Sequence, residues 1–296
     1  MSTPLLLIGG SNIDYIGISQ TKLISNVSNI GTISISFGGV MRNICENLAR
    51  LNNNITFITA IGKDTLGQEL KKQLIDLKVK IYSPDTNLPS GSYLAINDNN
   101  HDLYSAICDN RIITQINTDF LIKHKNLFSQ FEDICLDSNL DEETISYIIN
   151  TYPNKKYYVD AISPTKVKKY KNFLNKLYLI KCNIHEAKEL VGKDLSPYDL
   201  TKELLNLGIK NVVVSNGSHN IYYGNNLEID VLEVKPVKDF ENTTGCGDAL
   251  TSGLINHLIR NHSLKEAVEF AHQLSIITLM SKSATTKEVE KFKNIE

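Results

Sequence analysis

The chain has 296 residues, 42% hydrophobic and 22% charged, with a formal net charge of −2. That suits a globular protein with a sizeable core and gives no electrostatic reason to expect a nucleic acid or an anionic membrane as partner. Five cysteines, Cys45, Cys108, Cys135, Cys182 and Cys246, are scattered without Cys-x-x-Cys spacing, which argues against a disulfide framework or a zinc site and for a reducing, cytoplasmic setting.

Met1-Ser2-Thr3-Pro4 has no basic n-region, and no apolar run nears spanning length, so no leader or membrane helix is expected. Leu5–Ile8 is a short apolar run ending at Gly9-Gly10, the pattern of a buried parallel strand feeding a loop. Asn12 and Asp14 follow at the carboxyl end of that strand, where open α/β sheets bind ligands. An Asx turn without a ligand explains them equally well. Residues 15–36 are rich in Ile, Ser and Thr, and 32–37 alternate apolar and polar. Strands solvated on one face are expected there, in a small sheet outside the main core. Gly38-Gly39-Val40-Met41-Arg42-Asn43 is a glycine turn opening a helix with Ile44, Leu48, Ala49 and Leu51 on one face. Arg42 reads as a surface cation or as a contact to substrate or phosphate. A second buried strand is expected over 55–61 and a helix over 68–77. Residues 92–96 and 102–107 flank a polar Asn/Asp-rich turn, the pattern of a β-hairpin, which Asp109 closes as a loop cap or ligand contact.

From Ile134 the texture repeats. Strands expected over 134–136, 157–159, 177–180 and 211–214 end in Asp137-Ser138-Asn139, Asp160, Lys181-Cys182-Asn183 and Ser215-Asn216-Gly217. Amphipathic helical patterns lie between them, the signature of βαβ units. Asn183 and Glu186 fit a capping box, and Glu186 is also a suitable oxygen donor for Mg²⁺. Gly217 lets its turn approach a flat ring. In Asn242-Thr243-Thr244-Gly245-Cys246-Gly247-Asp248, a glycine loop runs into a helix faced by Ala249, Leu250, Leu254 and Ile255. The unpaired amides and dipole of such a helix start suit a phosphate. A carboxylate beside them makes sense as a base acting on a hydroxyl, and a tight turn with Asp248 as a cap is the alternative. The last apolar helix, over 264–280, carries His272 as a packing residue, and the lysine-rich tail beyond Ser281 is expected to be mobile.

The stretch Thr243-Thr244-Gly245-Cys246-Gly247-Asp248 resembles the C-terminal signature of the ribokinase-like (PfkB-type) carbohydrate and nucleoside kinases, usually Thr-Gly-Ala-Gly-Asp, with Cys246 in place of Ala. Gly38-Gly39 through Asn43 resembles the family's N-terminal signature, Gly62-Lys63-Asp64-x-x-Gly67 also fits, and Asn183-x-x-Glu186 is similar to its Asn-x-x-Glu element. The chain has no P-loop motif. The resemblance runs from Asn12 to about Met280. It implies a three-layer, doubly wound, mainly parallel α/β sheet with a small β lid. One kinase domain over 1–296 is expected, with lid strands inserted at about 12–37 and 90–109. By the same resemblance Asp248 is the catalytic base, and the amides of Gly245, Cys246 and Gly247 form the anion hole. Asn12, Asp14, Gly38, Gly39 and Asn43 would hold the sugar. Glu186 would hold Mg²⁺ through water, with Asn183, Ser215, Gly217 and Thr244 at the nucleotide.

Within the family, Gly-Gly-Val-x-Arg-Asn, Asp109 and Asn-Thr-Thr-Gly at 242–245 are closer to pseudouridine kinases than to ribokinases, and Asp109 would then face a uracil-like base. The implied activity is transfer of phosphate from ATP, with Mg²⁺, to a sugar hydroxyl, first of all the 5′-OH of pseudouridine. Another acceptor of the family (ribose, fructose or a different nucleoside) and a non-catalytic nucleoside-binding regulatory protein are the alternatives. Asn216, Asn220 and Asn242 depart from the family pattern. Ribokinases use Asp at the last of these to hold a monovalent cation, so little response to potassium is expected. Free edges of the lid could pair with a second copy as a homodimer.

Overall fold

The computed structural model describes residues 4–293; the first three residues of the expected leaderless start and the last three of the tail lie outside them. In chain order the strands are β1 (Leu5–Ile8), β2 (Asn12–Ser19), β3 (Gly31–Gly38), β4 (Ile55–Ile58), β5 (Lys80–Tyr82), β6 (Gly91–Asn97), β7 (Leu103–Asp109), β8 (Asp133–Asp137), β9 (Lys156–Asp160), β10 (Leu177–Asn183), β11 (Asn211–Ser215), β12 (Ile221–Asn225) and β13 (Ile229–Leu232). A nine-stranded sheet has the order β13-β12-β11-β10-β9-β8-β1-β4-β5, and a four-stranded sheet the order β3-β2-β6-β7. The large sheet is parallel from β11 to β5, and β12 and β13 add an antiparallel edge.

The strand sequences explain the layering. In β1, Leu5 and Leu7 point to one core and Leu6 and Ile8 to the other, all fully buried. A strand covered on both faces has no polar alternation to show, hence its continuous apolar run. The helices Val40–Arg50, Thr65–Asp76, Cys246–Leu258 and Leu264–Leu279 cover the first face. The helices Glu142–Thr151, Ile184–Val191 and Pro197–Asn206 cover the second. Each fully buried Leu or Ile contributes roughly 1.5–3 kcal/mol relative to exposure.

Two neighbouring strands locate the site. β1 lies between β4 and β8; the chain proceeds outward from β1 to β4 and, in the opposite direction, from β8 to β9. The crevice above the carboxyl ends at that reversal is where such sheets bind ligands. Gly10 N donates to Asp137 Oδ2 there at 2.8 Å.

Asn12 and Asp14 are not in a turn. They lie within β2, which pairs antiparallel with β3 and parallel with β6. Pairing on both sides satisfies the backbone that an Asx turn would otherwise serve, and the two-residue period puts both side chains on one face of the small sheet. Its other face carries the row Ile35, Tyr15, Leu94 and Ile107 in register, with Ile107 68% exposed.

Some boundaries differ from expectation. β4 stops at Ile58, and the following helix begins at Thr65 because Asp64 Oδ1 caps it, accepting from Gly67 N at 2.8 Å. The tail is not loose. Lys287–Phe292 forms a 3₁₀ turn with Val289 fully buried beside Phe270 and Leu274, and Arg50 Nη1 donates to Glu290 Oε1 at 2.8 Å. Two apolar residues, Val289 and Phe292, among charges carry too little periodicity to be seen in the sequence. No helix among the described residues is long and apolar enough to cross a membrane.

Candidate active site

Gly245 caps the Cys246–Leu258 helix with φ at 84°, and a Cβ there would overlap the Ala284 backbone. Both facts require glycine. Asn242 Oδ1 accepts from Thr244 N at 2.9 Å, which turns its carbonyl edge into the loop. Cys246 N makes a long 3.4 Å bond to Thr243 O, and the amides of Gly247 and Asp248 open the helix with no protein acceptor among the described residues. A Cβ on Gly247 would lie 2.9 Å from Lys181 Nζ, so a buried cation sits directly beneath the helix start. Burial acts to neutralise Lys181, but the carboxylates of Asp160, Glu186 and Asp248 outweigh it and hold its pKa above the ordinary value. Asp160 Oδ2 accepts from Lys181 Nζ at 3.2 Å and from Thr251 Oγ1 at 2.5 Å.

Asp248, in the first turn, accepts from Asn43 Nδ2 at 2.8 Å. The two signatures, 205 positions apart, thus meet in one hydrogen bond. Burial, reinforced by Asp160, pushes the Asp248 pKa up to about 7, against the opposing effects of Asn43 and Lys181. A carboxyl titrating near neutrality is matched to proton abstraction.

On the side of the small sheet, Gly38 and Gly39 do different things. A Cβ on Gly38 would overlap the Asp14 carboxylate, whereas Gly39 has φ at 97°. Gly91 makes room for Asn12, whose Oδ1 would lie 2.6 Å from a Cβ there. Burial raises the Asp14 pKa to about 6, and the nearby Arg42 moderates the rise. Asp109 stands at the end of β7, where Arg111 Nε and Nη2 donate to its two oxygens at 2.9 and 2.7 Å. Those hydrogen bonds lower its pKa to about 2. Asp109 therefore acts as a loop cap for Arg111, whose backbone N–H and guanidinium both donate to it. Arg42 is not a surface cation: it is 2% exposed and paired with Glu46.

On the far side of Gly247 a cavity of about 460 Å³ is lined by Ser215, Gly217, Thr243, Cys246 and His272 among others. Thr244 does not line it and is exposed, its neighbour Thr243 taking that position. His272, expected to be a packing residue, faces the cavity. Asn220 holds the loop above it, Oδ1 accepting from Val234 N at 3.1 Å. Asn183 and Glu186 form the complete capping box, with Glu186 Oε2 accepting from Asn183 N at 2.7 Å and Oε1 from Asn183 Nδ2 at 2.8 Å. Burial raises the Glu186 pKa. Among the described residues no group of three or more His, Cys, Asp or Glu gathers to hold a metal. A lone carboxylate near a helix start with open amides is compatible with Mg²⁺, which is commonly held by one or two carboxylates, waters and a ligand's phosphates.

Asp137, Asp160, Lys181 and Gly91 were not distinguished as site residues in the sequence. Their one signal is position: three of them lie at or near the carboxyl ends of parallel strands, without a motif to separate them from other polar residues there.

The geometry has a family. The profile described as pfkB family carbohydrate kinase matches residues 2–291, and the chain belongs to that family. It is 31% identical over 284 residues to the pseudouridine kinase of Escherichia coli K12, covering 93% of this chain and 90% of that one. Among solved structures, a ribokinase from Thermotoga maritima superposes with a TM-score of 0.87 at 19% identity over 98% of this chain and 99% of its own. The Arabidopsis thaliana ribokinase complexed with ribose and ATP does so with a TM-score of 0.81 at 18% identity, covering all of both chains (100% each). The fold is ribokinase-like, as the sequence resemblance implied.

Proposed function

We propose that the protein transfers the γ-phosphate of ATP to a primary hydroxyl of a nucleoside or sugar, with the 5′-OH of pseudouridine the first candidate. The single observation that carries this reading is the Asn43–Asp248 hydrogen bond at a helix start backed by Lys181. A base, an anion site and a buried cation converge there. Asp248 takes the hydroxyl proton as the hydroxyl oxygen forms its bond to the γ-phosphorus and the bond to the β,γ-bridging oxygen breaks. The open amides of Gly247 and Asp248, with that of Gly245 beside them and Lys181 beneath, would face the charge that builds on the transferring group; the Cys246 amide, expected with them, has a long bond to Thr243 O. Asn12, Asp14, Gly38, Gly39 and Asn43 would orient the sugar, and the cavity flanked by Ser215, Gly217 and His272 would take the adenine end. Asn183 and Glu186 would hold Mg²⁺ through water. When bound, Mg²⁺ neutralises phosphate charge.

Pseudouridine is favoured by the 31% identity to the E. coli pseudouridine kinase. The Asp109–Arg111 pair weighs against a direct Asp109 contact to the base and for recognition elsewhere on the small sheet. The exposed apolar row on that sheet supports pairing with a second copy. The separate, unbridged cysteines agree with a reducing, cytoplasmic setting. The test is ATP consumption with Mg²⁺ against pseudouridine, uridine, ribose, fructose and no acceptor. Turnover with pseudouridine but not uridine is expected. Turnover only with a free sugar would keep the chemistry and reject the acceptor. Binding of nucleoside or ATP without turnover across the panel would leave a regulatory binding protein.

A further inference from the structure

Arg42 is first in volume among the fully buried side chains of the described residues, and its guanidinium is engaged by protein acceptors. Its Nη1 donates to Phe37 O at 2.9 Å and to Asn43 Oδ1 at 3.1 Å. Its Nη2 reaches Gln73 Oε1 and pairs with Glu46. Glu46 also accepts from Arg50 Nε and Nη2 at 2.9 and 2.7 Å. Asn43 then donates through Nδ2 to Asp248. A continuous chain, Arg50–Glu46–Arg42–Asn43–Asp248, therefore runs from the helix interior to the proposed base.

The chemistry of the middle link matters. An Asn side chain has one accepting and one donating edge, and a guanidinium can only donate. With Arg42 at its carbonyl edge, Asn43 must present its NH₂ to Asp248. Turned over, the amide would set NH₂ against the guanidinium and its oxygen against a carboxylate. The planar fork of Arg serves Phe37 O, Asn43, Gln73 and Glu46 together, which a lysine ammonium cannot reproduce.

We infer that Arg42 is a positioning residue for the transfer reaction, acting through Asn43 to fix the amide edge that faces Asp248. The inference rests on the kinase reading for its catalytic meaning, and on geometry alone for the orientation of Asn43. Several other groups face this chain. Asp160 of β9 and Asp137 of β8 raise the Asp248 pKa, and Lys181 of β10 lowers it. Cys45 and Arg50 on its own helix and Asp14 of β2 face Arg42. Loss of Arg42 frees Asn43 to turn, which removes the hydrogen bond that favours ionised Asp248. Asp14, a sugar contact, would change substrate affinity instead, so kcat and KM separate the two.

Removing Arg42 alone leaves buried Glu46 with Arg50 as its one remaining cation, and such a variant can fail to fold. The paired change Arg42→Met/Glu46→Met removes one charge of each sign and leaves Arg50 paired with Glu290, and Arg42→Lys keeps the charge without the fork. In both, the acidic limb of the kcat profile should move upward. A one-unit shift lowers kcat at pH 6 by roughly tenfold, and the deficit should close above about pH 9, where Asp248 is ionised in every variant. In an Asn43→Ala background the Arg42 change should add less than about twofold, because residues acting through one bond are not additive. A deficit equal at all pH values, or one fully additive with Asn43→Ala, would overturn the inference and make Arg42 a stability residue only. The Asn43 side-chain resonance in ¹⁵N-Asn-labelled protein gives an arm that needs no turnover. It should follow Asp248 ionisation in the parent and lose that dependence in both Arg42 variants; unchanged titration overturns the inference. A parent without turnover on any acceptor would sink the kinase reading, and this resonance would still decide the role of Arg42.

Discussion

The behaviour of Asp248 follows from the two things that touch it, a buried surrounding and one donated hydrogen bond. Asp248→Asn keeps the shape and the Asn43 contact but removes the base. It should lower kcat by at least roughly 10²-fold with KM little changed, as steady-state kinetics on the best acceptor would show. A second consequence concerns stability. The folded pKa is raised to about 7 from 3.8, so between those values the folded protein binds more protons than the unfolded chain. Asp248 therefore favours the fold below its unfolded pKa, and that contribution is lost as pH rises through about 7. Asp248→Asn does not titrate and should gain stability relative to the parent as pH goes from 4.5 to 8. Thermal midpoints at the two pH values measure this, and a gap that narrows with rising pH would contradict the burial of this carboxyl.

At the scale of elements, the Cys246–Leu258 helix must be held at one angle for its first turn to meet Asn43. Gly253 sets its approach to the Leu264–Leu279 helix, since a Cβ there would overlap Ala271. Propensity and packing pull in opposite directions at this position. Gly→Ala inside a helix gains up to roughly 1 kcal/mol, while overpacking a tight contact loses roughly 1–3 kcal/mol. Packing should win, and Gly253→Ala should lower stability to urea. A stabilised variant would mean that the two helices can separate freely. The helix also depends on Gly245, whose contact is with Ala284 in a segment that reads from sequence as a loose tail.

Over the whole molecule, that segment ties the ends of the chain together. Val289 is fully buried against Phe270 and Leu274, and Glu290 pairs with Arg50 in the N-terminal half. Val289→Ala should destabilise the protein by roughly 1–3 kcal/mol, read from denaturant midpoints at unchanged slope. It should also lower turnover, because Ala284 packs on the glycine loop. An unchanged midpoint would show that the tail is not part of the core.

Much of this protein was determined by its residues taken in line. Continuous apolar runs marked the parallel strands because strands covered on both faces have no polar side to alternate with. The glycine turns marked both helix starts of the site because only glycine tolerates φ of 97° and 84° there. Asp248, Asn43 and the capping pair Asn183–Glu186 were legible for the same reason: their chemistry is local, or written in a short motif. The tertiary structure decided what depends on partners distant in the chain. It placed Asp109 with Arg111, Thr243 rather than Thr244 on the cavity, and Lys181 under Gly247. It also turned Arg42, which read as a surface or ligand-binding cation, into a buried link between Glu46 and Asn43. A charged side chain carries no sequence mark of what will neutralise it, because burial and pairing are set only when separate elements meet.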